Sequence, residues 1–299
     1  MKNVSTYIKL ALTLCIMSYA LSSSAQGYNI GIRAGLGQNT FIGPVEPGES
    51  FGLTGGFHFG IAFQWNFSDL VGIRSEIVYN QTGSSYLLDT PNGYYIFDPD
   101  RFSSLNQNIL IRDASRITLD HSNAYLQLPQ TVHVSLGEKF ELFGGGYISF
   151  LISPVATGNI LFGGEVGDQE HSFRQGLNFE YFRGNETNFF GFGVGGTDIL
   201  VRASGIDVDL VAVQNSQDFN NFDIDESRFL SLDYGLIVGG AYYLNRGLFL
   251  MARAEFGVRD ITRNTADFSF SRVNDDLTPI FTNNFDRNFG AYLSIGFKF

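Results

Sequence analysis

A chain of 299 residues with 35 glycines, 15% aromatic and only 16% charged residues is poor in charge for a globular protein, where about 25% is usual, and suits an envelope protein better than a soluble enzyme. The net charge of −11 excludes nucleic acid and anionic lipid as targets, because both are recognised by basic patches. The acidic excess is read as solvation of exposed loops rather than as cation binding.

The first 25 residues have the layout of a signal peptide. Lys2 and Lys9 give a positive start, residues 10–21 an apolar stretch, and Ser22 to Ala25 small residues before Gln26. The apolar stretch is shorter than the roughly 20 residues of a spanning helix. Cys15, the one cysteine, falls inside it, with Leu14 where a lipidation site wants a small residue. The mature chain is therefore expected to lack disulfides and thiolate chemistry. Beyond the leader no run of 18 apolar residues remains, so no spanning helix is expected. Residues 26–299 are read as one domain.

Eight strands follow from period-two alternation with aromatic and β-branched residues. They lie near 28–40, 51–66, 69–84, 120–136, 139–153, 229–245, 247–261 and 288–299. On the second, Phe57, Phe59, Ile61, Phe63 and Trp65 alternate with His58, Gly60, Ala62 and Gln64; on the seventh, Leu250, Ala252 and Ala254 alternate with Arg253 and Glu255. In the last, Ala291, Leu293, Ile295, Phe297 and Phe299 share one face, and the alternation runs to an aromatic carboxyl-terminus, as outer-membrane barrels commonly do. Tight turns at 66–69, 137–139 and 245–247 alternate with longer polar connections at 41–50, 85–119, 154–228 and 262–287. Short turns on one side and long loops on the other predict an all-β fold: an eight-stranded antiparallel transmembrane β-barrel, an up-and-down meander with long extracellular loops and both termini in the periplasm. A soluble β-sandwich would carry fewer glycines on its oily faces, and charges would not recur at matched depth on its polar ones.

The segment 124–136, Ala-Tyr-Leu-Gln-Leu-Pro-Gln-Thr-Val-His-Val-Ser-Leu, resembles the Tyr-Leu-x-Ile/Leu-Pro-hydrophobic segment of the PorT-like outer-membrane β-barrel family of Bacteroidetes. The glycine-rich segments 29–37 and 234–243, the closing strand and Ala25-Gln26 are similar to that family too. The likeness covers the barrel strands and not the long loops. Gln130, Thr131 and His133 stand where family members more often carry leucines and then a lysine. The resemblance implies an eight-stranded outer-membrane barrel; one class of members serves type IX secretion, but most have no defined role. Pro129 removes a ladder donor and is read as marking a bulge or bend.

An eight-stranded barrel is just wide enough for side chains to fill. Arg33, Arg74, Glu76, Glu141, Asp233, Arg253, Glu255 and Arg259 are predicted to point inward, where isolated charges would be costly and pairing is expected. The repeated Arg-x-Glu, at 74–76 and 253–255, is expected to form like-oriented ion pairs on two walls, a salt-bridged plug; a gated pathway is the alternative.

No residue is assigned a catalytic, cofactor-binding or metal-binding role. His58, His121, His133 and His171 lack metal-ligand spacing. Asp120, His121 and Ser122 alternate faces in a strand and cannot converge as a triad. Residues 191–196 are glycine-rich without the Lys-Ser/Thr of a phosphate loop. Connection 154–228 exceeds the length of an idle connector; its alternating segments 178–183 and 206–213 predict strands rising above the membrane into a β-rich cap, and its acidic stretch 218–226 is read as solvated. The functional expectation is a non-enzymatic, integral outer-membrane barrel acting as a structural or partner-binding component of the envelope through its external loops. A small gated channel, and after it a lipid-A-modifying enzyme, are the alternatives. Outer-membrane lipid is one expected partner; an envelope or secretion complex, or an extracellular ligand, is another. No cofactor is expected.

Overall fold

Alternation in the sequence becomes register between neighbouring strands. The computed structural model describes residues 27–45, 48–90, 94–96, 109–111, 115–166, 169–180, 200–203, 206–209, 229–262, 270–273, 279–281 and 285–299. Its strands are β1 (Tyr28–Ile42), β2 (Glu49–Gly52), β3 (Thr54–Asn66), β4 (Val71–Thr90), β5 (Tyr94–Ile96), β6 (Ile109–Ile111), β7 (Ser115–Leu136) and β8 (Phe140–Val166). They continue with β9 (Gln169–Glu180), β10 (Leu200–Ala203), β11 (Ile206–Asp209), β12 (Leu232–Tyr243), β13 (Leu248–Gly257), β14 (Phe270–Val273), β15 (Pro279–Phe281) and β16 (Arg287–Lys298).

Eight of these close a ring in the order β1-β3-β4-β7-β8-β12-β13-β16, every neighbouring pair antiparallel. β16 closes it on β1, from Gly31 opposite Lys298 to Ile42 opposite Arg287. Closure leaves no unpaired edge around the ring, the condition for a sheet to sit in hydrocarbon. The eight expected strands are these eight. The three tight turns also stand where expected, each built from residues suited to it. Ser68 Oγ accepts from the amides of Leu70 and Val71, Gly137 takes φ of 72°, and Asn245 Oδ1 accepts from the amides of Gly247 and Leu248.

The outside of the ring is an apolar belt. Leu36, Leu142, Val132, Leu236, Leu293 and Ile295 are all exposed on it, in a continuous surface that water would not tolerate on a monomer. Aromatic residues bound the belt at both ends. At the turn end Trp65 meets Phe67 at 5.8 Å and Phe140 meets Tyr242 at 5.0 Å. At the far end Phe57 stacks on Tyr79 at 5.3 Å and Phe256 meets Phe289 at 5.1 Å. Phe289 and Phe297 mark the two girdles on one strand, a separation close to the roughly 9–11 residues a tilted strand needs to cross a bilayer.

The wall is uneven. β4, β7 and β8 run for 20, 22 and 27 residues, whereas β12, β13 and β16 have 12, 10 and 12. Beyond the far girdle the long strands extend the same sheet outward, with β2 paired to β4 and β9 to the distal half of β8. The expected connections therefore shrink. β4 reaches Thr90 before β7 starts at Ser115, and β8 continues to Val166 inside the span read as loop from 154. Strand thus continues past the far girdle into spans read as connections. The pairs β5/β6, β10/β11 and β14/β15 also fall within connections. The strand expected at 51–66 is interrupted at Leu53, which separates β2 from β3.

Pro129 is not at a bulge. It faces Tyr147 on β8 in unbroken register; on the β4 side the pairs of Glu76 and Ile77 are missing, yet the same register resumes at Val78 opposite Gln127. A missing N–H interrupts the ladder without adding a residue. The bulge lies higher, where Ala124 faces Ser153 and Tyr125 faces Leu151, so that Ile152 is the extra residue. Residues 1–25, 191–196 and 218–226 lie outside the described residues, as do the ends of segments 178–183 and 206–213.

Candidate functional site: the filled lumen and the projecting sheet

Inward-facing side chains fill the ring in layers. Nearest the turn end, His133 Nε2 lies 3.0 Å from both Gln64 Nε2 and Asn66 Oδ1, and Gln64 Oε1 accepts from Arg74 at 2.9 Å. Arg74 pairs with Glu141 across the lumen, and Tyr243 donates to the other oxygen of Glu141 at 3.1 Å. Lys298 lies over the Tyr243 ring at 4.8 Å. An apolar cluster of Phe143, Ile237, Phe249 and Met251 packs one wall of the same region. Facing glycines make room for its rings: a Cβ added at Gly239 would meet Phe143 at 2.5 Å.

At mid-depth Arg33 donates twice to one oxygen of Glu76, at 2.6 and 3.0 Å. Arg253 approaches that oxygen at 3.6 Å, pairs with Glu255 at 2.7 Å and lies over the Tyr292 ring at 5.1 Å. His58 and Ser294 share a hydrogen bond of 2.7 Å. Higher still, Asn80 and Gln127 donate to Glu255 at 3.2 and 2.9 Å, while Tyr147 and Asn288 donate to Asp233 at 3.1 and 3.0 Å.

Of the eight residues expected inside, Arg33, Arg74, Glu76, Glu141, Asp233, Arg253 and Glu255 are buried there. Arg259 is a correction: it lies past the end of β13, half-buried and outside these ion pairs. The pairing expectation also needs correction. Arg253–Glu255 forms within one strand, but Arg74 and Glu76 do not pair with each other; they reach Glu141 on β8 and Arg33 on β1. A two-residue spacing puts both side chains on one wall, and each finds a better-aligned opposite charge across the narrow lumen. The neutral partners His58, Asn80, Gln127 and Tyr292 were not singled out as a network, because period-two reading gives a face and not a depth.

Beyond the far girdle the polarity inverts. On β7 the buried residues Gln127, Thr131 and His133 are polar while the outward Leu126 and Val132 are apolar. Further along, the buried residues are Ile117, Leu119 and His121, and the exposed ones Arg116, Thr118 and Asp120. β4 does the same, with Arg74, Glu76 and Asn80 inside below and Tyr86 and Leu88 inside above. The inner face of the projecting sheet meets Phe41, Phe229 and Ile261 in an apolar core above the polar lumen. His121 sits between rings there, 5.8 Å from Phe41 and 5.5 Å from Phe229.

Asp89 pairs with Arg116 at 2.6 Å on the sheet's outer face, and Gln81 donates to Ser122 at 2.6 Å. Asp120 is exposed while His121 is buried, so the three residue types of a hydrolase do not meet. His58, His121 and His133 occupy separate levels, and the His171 side chain lies outside the described residues. Among the described residues no group of three or more His, Cys, Asp or Glu is placed to hold a metal ion.

The model of the outer membrane protein beta-barrel domain family matches residues 22–263. Solved structures to which the chain is similar include Ail, the attachment invasion locus protein of Yersinia pestis, at 9% identity and TM-score 0.32, covering 91% of this chain and 98% of that one. Neisserial surface protein A is similar at 9% identity and TM-score 0.33, with 92% and 100% covered. OprG of Pseudomonas aeruginosa is similar at 11% identity and TM-score 0.31, with 92% and 98% covered. No curated protein matches the chain.

Proposed function

The chain belongs to the outer membrane protein beta-barrel domain family, and from that premise we propose that it is a non-enzymatic envelope component whose filled barrel anchors an exposed sheet for partner binding. Both termini and the tight turns face the periplasm, because short turns lie on that side of such barrels and long excursions on the other. The narrower kinship with PorT-like barrels, carried by segment 124–136, and the leader at 1–25 belong to the same reading.

The observation that carries it is the change of polarity along β4 and β7. A loop that merely connects strands has no reason to be an ordered sheet with a polar outer face and an apolar inner one. Such a sheet presents fixed side chains to water, the requirement for recognising a partner from a rigid support. A photo-crosslinking residue at Thr118 or Asn159, on the outer face, is expected to give a discrete protein adduct in living cells. The same probe at Val132, on the belt, is expected to give lipid adducts. Failure of both outer-face positions to yield any discrete adduct would contradict partner binding there.

A small gated channel is the second reading, favoured by one feature: Arg253 stands between Glu76 and Glu255 and is placed to exchange partners. Lumen packing and the apolar core above it support the closed reading. In planar bilayers the protein is expected to give no stable single-channel steps; steps lost on substituting Arg253 would establish the channel instead.

A further inference from the structure

Three arginines and, at the turn end, Lys298 share the lumen with four carboxylates. Arg33, Arg74 and Arg253 take Glu76, Glu141 and Glu255 into ion pairs, and Asp233 is left over. It is 2% exposed, and among the described residues no guanidinium or ammonium lies at ion-pair distance from it. One of its oxygens accepts from Tyr147 and Asn288; the other, Oδ1, has no side-chain hydrogen-bond partner. Asn80 is in the same position nearby. Its amide nitrogen donates to Glu255 and to Tyr292, but its Oδ1 is unpartnered at 1% exposure. Asn80, Tyr125, Ser149, Asp233, Glu255 and Asn288 border one small cavity of about 10 Å³, the room taken by a single water-sized particle.

We propose that this cavity binds one monovalent metal cation on Asp233. A buried carboxylate with no opposite charge at ion-pair distance is among the costliest groups a fold can contain, and one cation beside Asp233 pairs it locally. A divalent ion would overcompensate the one carboxylate that has no ion-pair partner. The surrounding atoms are hard oxygen donors from a carboxylate, an amide and hydroxyls, which suit sodium or potassium and not a soft transition metal. The cation ties β12 to β4, β7 and β16 immediately below the apolar core, where the short wall meets the tall one.

The test uses the purified barrel in detergent micelles, following the temperature at which it loses its heat-modifiable gel mobility. Choline chloride is replaced by sodium or potassium chloride at constant ionic strength. One of the two metal ions is expected to raise the midpoint by about 2–4 °C in a saturating manner, and calorimetric titration with that ion is expected to show one site. Asp233→Asn removes the increment, whereas Glu138→Gln, an exposed turn carboxylate, retains it. Equal midpoints in choline, sodium and potassium would overturn the proposal and leave a protonated Asp233 beside water. An increment given by calcium alone, or one surviving in Asp233→Asn, would overturn it too. Should Asp233→Asn fail to fold, the wild-type titration and midpoints decide alone.

Discussion

The two halves of β7 share one backbone, one phase and one direction, yet bury opposite kinds of side chain. In the half from Leu126 to Val134 the odd positions are inside and, Pro129 apart, polar; in the half from Arg116 to His121 the odd positions are still inside but mostly apolar. No bulge on β7 intervenes: the extra residue is Ile152 on β8. Geometry fixes which side chain points inward, and the surrounding solvent fixes what that side chain has to be. Hydrocarbon outside leaves the interior to polar groups that satisfy one another. Water outside returns the strand to the soluble rule, with an apolar core.

The largest effect is expected where the inside of the belt is broken. Glu76→Gln leaves Arg33 and Arg253 competing for too few carboxylates, at a cost of about 3–5 kcal/mol. Urea unfolding followed by Trp65 fluorescence would report it, and an unchanged midpoint would mean that the ion pairs do not hold the lumen. Leu119→Ala removes a buried side chain from the projecting core, at about 2–5 kcal/mol. It is expected to make the sheet sensitive to limited proteolysis while heat-modifiable mobility of the barrel is retained. Equal loss of both would show that the two regions are not separable. A smaller contrast comes from one face of one strand. Val132→Arg puts a charge into hydrocarbon and costs about 2–4 kcal/mol near the midplane, whereas Thr118→Arg faces water and stays within about 0.5 kcal/mol of wild type. Similar refolding yields in lipid vesicles for both variants would put the boundary in the wrong place.

Much of this fold was legible because a barrel wall is locally encoded. Phe57 to Trp65 and Leu250 to Glu255 declare their faces by alternation, and Ser68, Gly137 and Asn245 declare the turns. The distal strand halves read as connections because their oily positions change phase. Residues 116–121, Arg-Ile-Thr-Leu-Asp-His, alternate as regularly as residues 126–134, but with the apolar positions odd instead of even. That phase change, with no inserted residue, was the available sign of the membrane boundary. The lumen was legible as a set of inward charges but not as pairs. Whether Glu76 meets Arg74 or Arg33 depends on the stagger between strands, which one strand's pattern does not contain. Met251 teaches the same point, since it faces inward yet packs among Phe143, Ile237 and Phe249.

The most direct test of the inversion is cysteine labelling along β7, in a chain whose one cysteine, Cys15, lies in the expected leader. Single variants Thr118→Cys, Leu119→Cys and Val132→Cys would be exposed on intact cells to a membrane-impermeant maleimide. The account predicts rapid labelling at Thr118 and none at Leu119 or Val132, with Val132 alone reacting with a lipid-soluble maleimide. Labelling of Leu119 as fast as Thr118, or of Thr118 only after the outer membrane is breached, would contradict it.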